Sequence, residues 1–404
     1  MVERFRNAGA LSKLRSENMS YMIDRLTQSR PRLNAHRQRR ALRMLGVAME
    51  TYSRNELTEA EALRVIREAI RSTETESREL LDELYASILK RTGNGLSFQL
   101  ASYGEYLAAE ALEDATAERV RELAFVDHAT PNESWQNAVS YLIELNPTIR
   151  QLFVRNHPFW TLPASPDAFS EEEKNTIVNQ IVKDLRSNHQ FIFDHPRIQV
   201  RRLSSFVTPE TESNLEANLT SNNEVVLGNA LLLLGIRERK DIVPLAMDIL
   251  SDQARGNALR MCAIFALVNA GGPHLVPRLI EILGQGDPQQ INIADLVGAL
   301  ANETNLDAVL PVIMRTNAGL SATYSRFREL TSREAVLAVL RYFVNHPEDL
   351  NSIRAEGYVE PILKLIPRHW NHHIAERIVD LIDLIDTDIF IPSAPAVSSS
   401  CSRS

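Results

Sequence analysis

Apolar positions along this chain recur mostly at helical spacing. Leu42, Leu45 and Met49 fall on one face with Ala41, Met44, Ala48 and Tyr52, which predicts an amphipathic helix over residues 36–53. Thr58 followed by Glu61 is a capping-box pair and predicts the start of a second helix. A third is expected over residues 76–90. The period then changes to two: behind the turn dipeptide Asn94-Gly95, residues Leu96, Phe98 and Leu100 alternate as in a strand. Helical spacing returns in SYGEYLAAEALED, and further on over residues 134–145 and 171–185, with the Pro- and Ser-containing loop TLPASPDAFSEEE between those two.

Three helices, a small hairpin and a closing helix are the outline of a winged-helix domain, here spanning residues 36–112.

The C-terminal half repeats itself. IVPLAMDIL from Ile242, LVPRLIEIL from Leu275 and VLPVIMRTN from Val309 align on Pro244, Pro277 and Pro311, spaced 33 and 34 residues apart. A fourth segment, VEPILKLIP with Pro361, follows 50 residues later. A proline at a helix start loses nothing by lacking its N–H, so each is expected to open a helix. Each is preceded by a second apolar run: NALLLLG ending at Gly235, CAIFALVNAG ending at Gly271, and ADLVGALA followed by Asn302. Gly or Asn there signals a helix C-terminus. A pair of helices cannot bury both faces alone, so successive pairs must stack into a solenoid.

The stretch from Asn257 to Asp287 resembles a HEAT repeat, with Arg260, Ala263, Ala266, Leu267, Gly271, Val276, Leu279, Leu283 and Asp287 at that family's positions. The expected fold class is therefore all-α: an α-α superhelix of the HEAT/armadillo kind, preceded by a small winged-helix domain. The expected organisation is a basic helical segment over 1–35, the winged-helix-like domain over 36–112, a helical region over 113–222 that also reads as divergent repeats, HEAT-like repeats over 223–390, and a low-complexity tail over 391–404 expected to be disordered.

The winged-helix outline, closed by Glu105-Tyr106-Leu107-Ala108-Ala109, resembles the region that follows the ATPase in STAND-type NTPases of the NACHT kind. Phe98, Ser102, Tyr103 and Glu105 to Ala109 match that family's pattern; Leu100 stands where the family has histidine. The resemblance implies the sensor half of a bacterial signalling or defence NTPase, in which repeats capture a protein or peptide ligand and a winged helix relays the event to a separate NTPase domain or chain.

Chemistry is sparse. No Gly-Lys dipeptide occurs, so no phosphate-binding loop is present. Leu80-Leu81-Asp82-Glu83 mimics a Walker B string but falls in a predicted helix. His369, His372 and His373 form the one local histidine cluster and read as a polar inter-helix turn. His157, His195 and His346 each precede proline and read as turn residues. No catalytic constellation, metal site or cofactor is expected.

Charge adds one feature. The chain is net −8, yet residues 1–43 hold eleven Arg and Lys against three Asp and Glu. Within them Arg30, Arg32, Arg37, Arg39, Arg40 and Arg43 are candidate docking or anion-binding residues. Nucleic acid is a second partner class for them, weakened by the acids Glu76, Glu79, Asp82 and Glu83 on the helix ahead of the hairpin. A scaffold role in an enzyme complex is a third reading. Two cysteines, no signal-like segment and no apolar run of membrane-spanning length lead to the expectation of a cytoplasmic location without membrane contact.

Overall fold

A computed structural model describes residues 12–27, 35–284 apart from 86 and 94, then 300, 305–315, 332–347, 349, 374 and 377–378. Regular structure there is helix, apart from one two-stranded hairpin. The chain divides into two compact units, Met1–Asn214 and Leu215–Ser404.

In the first unit, helix α1 (Arg15–Thr27) is followed by α2 (Ala35–Thr51), α3 (Glu59–Ile70) and α4 (Glu74–Tyr85). The Thr58–Glu61 box caps α3 as the sequence predicts: the Glu61 amide donates to Thr58 Oγ1 at 3.2 Å, and the Thr58 amide to Glu61 Oε2 at 2.8 Å. Helix α4 ends at Tyr85, short of the expected residue 90, because Leu89–Arg91 forms strand β1. Strand β2 (Leu96–Phe98) pairs antiparallel with it, Leu89 opposite Phe98. The expected alternation through Leu100 stops one step early. Leu100 is the residue ahead of the next helix and is 51% exposed.

A third segment joins this hairpin. Leu57 and Leu96 exchange both backbone hydrogen bonds, at 3.0 and 2.8 Å. Gly95 explains how they come so close: a Cβ there would stand 2.0 Å from the Leu57 carbonyl oxygen. This glycine serves a close backbone approach as well as a turn.

Helix α5 (Ala101–Ala111) carries the EYLAA string and packs along α2. Small residues set the distance. A Cβ on Gly46 of α2 would meet the Gly104 carbonyl oxygen at 2.6 Å and the Ala108 nitrogen at 2.9 Å. Tyr106, Leu107, Ala108 and Ala109 are all buried. The other side of α5 packs on α7 (Gln136–Leu145), which follows α6 (Ala117–Ala124). One helix therefore belongs to both the hairpin-bearing part and the segment after it. Helix α8 (Pro147–Asn156) starts on Asn146, whose side chain accepts from two amides, with Pro147 as its first residue. Helix α9 (Glu171–Ser187) has a second capping box, Ser170 with Glu173. Short α10 (Val200–Ser204) follows, and then α11 (Pro209–Asn218), within which the first unit ends.

In the second unit, α12 (Glu224–Ile236) is buried continuously from Val225 to Gly235, as a helix surrounded by others must be. Helices α13 (Val243–Ser251), α14 (Asn257–Ala266) and α15 (Val276–Gly284) come next, α14 touching both α12 and α13. Pro244 and Pro277 are each the second residue of their helix, as expected. Pro311 departs from the rule. Helix α16 (Leu306–Arg315) starts five residues before it, so Pro311 lies in the interior and removes one helical hydrogen bond. Helix α17 (Arg333–Asn345) packs on α16.

Gly235 also differs from expectation. It lies inside α12 rather than beyond its end, and Glu238 takes the left-handed conformation that closes the turn, with φ of 60°. Gly235 is where α12 meets α14: a Cβ there would stand 2.4 Å from Cα of Ala266. After α14 a π-helical turn runs Leu267–Gly271, and Gly272 supplies a φ of 84°. Arg260, buried in α14, donates from Nε to the carbonyl of Leu250 at 3.1 Å, in the last turn of α13. A cation at that negative helix end ties the two helices together. The segments ADLVGALA, VEPILKLIP and the 391–404 tail lie outside the described residues, apart from Leu300.

Candidate functional site

The basic run leads onto α2. Arg30 and Arg32 lie outside the described residues; the other four candidates are separated by where helix geometry puts them. Arg39 and Arg43, one turn apart, point at α5 and converge on Glu110, which is 8% exposed. Arg39 binds its carboxylate bidentately, Nε to Oε2 and Nη2 to Oε1, both at 2.7 Å. Arg43 Nε adds a bond to Oε2 at 2.7 Å, and Tyr106 donates to Oε1 at 3.3 Å. Arg39 Nη1 also reaches Asp24 of α1 at 3.1 Å.

The electrostatics follow from this packing. Burial alone would raise the Glu110 pKa; the hydrogen bonds from Arg39 and Arg43 outweigh it and hold the carboxyl below its ordinary range. Burial and the Glu110 charge push the Tyr106 hydroxyl up to about 12. Arg39 and Arg43 thus join α2 to α5, with α1 attached through Asp24.

Arg37 and Arg40 remain at the surface. Arg37 lies 3.8 Å from Glu76 of α4, both half-exposed. Arg40 is exposed and flanks a groove of about 360 Å³ between α2 and α3, whose walls include Met44, Val47, Tyr52, Val65 and Glu68. Met44 is 39% and Tyr52 50% exposed, so the groove presents apolar surface to solvent. Apolar walls with one cation and one anion at the edges suit a peptide or a protein side chain. The acids of α4 are partly engaged: Glu83 accepts from Gln38 at 3.1 Å and Asp82 lies 3.6 Å from Arg91. Leu80 and Leu81 of the Walker-B-like string are buried beneath that helix.

A second cleft, of about 170 Å³, lies where Glu50 of α2 faces Glu105 of α5, beside Arg54, Lys90 and Phe98. Burial and the neighbouring Glu105 charge push the Glu50 carboxyl up to about 7. A third cleft, lined by Arg15, Arg197 and Arg202, brings together cations from distant parts of the sequence. No local motif marks these residues.

The histidines before proline all sit at helix or 3₁₀ ends: His157 after α8, His195 after a 3₁₀ turn and His346 after α17. Phe159 stacks on His195, with ring centroids 4.4 Å apart. His369, His372 and His373 lie outside the described residues. Among the described residues no group of three or more His, Cys, Asp and Glu is placed to hold a metal ion, and no helix is long and apolar enough to cross a membrane. Compared with protein-family models, curated proteins and solved structures, the chain finds no match in any of the three.

Proposed function

We propose that this chain is a non-catalytic binding and sensing module, in which a winged helix is followed by HEAT-like helix pairs that capture a protein or peptide ligand, as in the sensor half of a STAND, NACHT-like signalling or defence NTPase. The observation that carries the reading is the reciprocal Leu57–Leu96 pairing. It puts a strand-like segment between α2 and α3 against the β1–β2 hairpin, and so supports the winged-helix order of helix, strand, two helices and two strands. Helix α5, with the EYLAA string, closes that unit. For the repeats, support comes from α14 packing on α12 at Gly235–Ala266 while Arg260 holds the end of α13. Stacked pairs of this kind present long surfaces suited to extended partners.

In this reading Arg37, Arg40 and the Met44–Tyr52 groove are where a separate NTPase domain or chain docks. The chain lacks a phosphate-binding loop, so ATP turnover by the chain alone is expected at background. Turnover well above background, lost when the protein is depleted, overturns the reading. Nucleic acid is the less favoured partner, because the helix ahead of the hairpin exposes Glu74, Glu79 and Asp82.

A further inference from the structure

Arg15 opens α1, and Arg202 lies in α10. Both guanidinium groups donate to one backbone oxygen, that of Pro163: Arg15 through Nη1, and Arg202 through Nη2 at 2.8 Å. Arg202 Nε donates to the Leu162 carbonyl at 2.9 Å. Arg15 also reaches Ser140 Oγ at 3.5 Å and stands 4.7 Å from the centroid of the Tyr141 ring. Two cations thus share a neutral acceptor, and neither forms an ion pair with a carboxylate among the described residues.

The acid that attracts Arg202, Glu144, is held elsewhere: its Oε2 accepts from the Ser16 amide at 2.9 Å and its Oε1 from the Ser165 amide at 2.8 Å. Burial and repulsion by Arg15 hold the Arg202 pKa below its usual value. A guanidinium carries five N–H donors in a rigid fork. Arg202 Nη1 donates to no group among the described residues, and Arg15 additionally bonds the Tyr141 side chain, a neutral partner.

These two arginines line a cleft of about 410 Å³, with Gln136 and Gln199 as further polar walls and Leu162, Pro163 and Pro196 as apolar ones. Arg197 lines it too, but its charge is met by Glu133 and its guanidinium lies 5.2 Å from the Trp160 ring centroid. The cleft lies within the range of roughly 300–1,000 Å³ typical of small-molecule sites.

We propose that this cleft binds an organic phosphate, the phosphate meeting Arg15 and Arg202 and the organic part lying against Leu162, Pro163 and Pro196. A phosphate monoester carries about −1.5 to −2 charges near neutral pH, more than a carboxylate, and so is the better match for two adjacent guanidiniums that hydrogen-bond only neutral groups. Its three oxygens also match forked donors on two sides. A bare ion would leave the apolar walls unused.

Calorimetry on the full chain with phenyl phosphate tests this, with benzoate and inorganic phosphate as comparators. Saturable binding of phenyl phosphate is expected, at least about tenfold tighter than either comparator. Arg15→Gln and Arg202→Gln should each weaken it by about tenfold or more, whereas Arg201→Gln, at the exposed neighbouring position, should leave it unchanged. Circular dichroism checks the fold of each variant. Arg202→Lys, which keeps the charge but loses the fork, decides the matter if a Gln variant unfolds, and should also weaken binding. No saturable binding to the unaltered chain, or equal binding by folded Arg15 and Arg202 variants, overturns the site. Benzoate or inorganic phosphate binding as tightly as phenyl phosphate overturns the assignment of an organic phosphate.

Discussion

Arg39 grips the Glu110 carboxylate with two parallel hydrogen bonds of 2.7 Å, across the contact between α2 and α5. Removing one partner of a buried pair leaves the other charge uncompensated, typically at a cost of about 3–5 kcal/mol. Glu110→Ala is therefore expected to lose about 3 kcal/mol or more in urea unfolding. Arg43→Ala should cost less, because the Arg43 side chain is 37% exposed and Arg39 keeps its bidentate hold. The pair also sets a pH dependence. Glu110 is depressed in the folded chain, so its contribution is present above the carboxylate's unfolded pKa and is lost as pH falls through the lower, folded one. Unfolding midpoints followed from neutral to acid pH should fall for the unaltered chain and change less for Glu110→Gln.

Arg37 and Arg40, on the same helix as those struts but turned away from α5, should behave differently. The double substitution Arg37→Ala with Arg40→Ala touches one half-exposed and one exposed position and should leave stability within about 0.5 kcal/mol. Thermal unfolding compared with Arg39→Ala separates the two classes. A loss as large as that of Arg39→Ala would show that Arg37 and Arg40 are struts as well.

Glu50 carries the opposite sign from Glu110. Its folded pKa, pushed up to about 7, lies above its unfolded value. The stability associated with its protonated form is complete below the unfolded pKa and is lost as pH rises through about 7. Glu50→Gln abolishes this titration, so the variant should gain stability over the unaltered chain on the order of 1 kcal/mol at pH 8, and little at pH 4. Denaturant midpoints at the two pH values check it; an equal difference at both would exclude Glu50 as the titrating group.

Gly235 meets Ala266 where the two apolar helices of the second unit touch. A methyl group at residue 235 would stand 2.4 Å from Cα of Ala266, too close without separation of α12 and α14. Gly235→Ala should therefore cost about 1–3 kcal/mol despite the better helix propensity of alanine. Hydrogen exchange of the α12 and α14 amides should speed up. A stabilised variant would mean that the helices can yield there.

The amino-acid sequence by itself determined the helical character, the Thr58–Glu61 cap and the proline starts at Pro244 and Pro277. These depend on neighbours within one or two turns, so spacing and residue type are enough. It also placed the hairpin, though not its length, because Leu100 is needed to lead into α5. Tertiary structure alone decided which residues are in use. Two arginines of the basic run became internal struts because Glu110, about 70 residues away, lies beneath them. Gly235, Gly46 and Gly95 are required by backbone approaching from elsewhere in the chain, which no local pattern records. Arg15 and Arg202 are separated by nearly half the sequence and meet only because the chain around Pro163 passes between them. Local periodicity reports what a segment forms; charge balance and close approach depend on which segments meet, and only the folded chain fixes that.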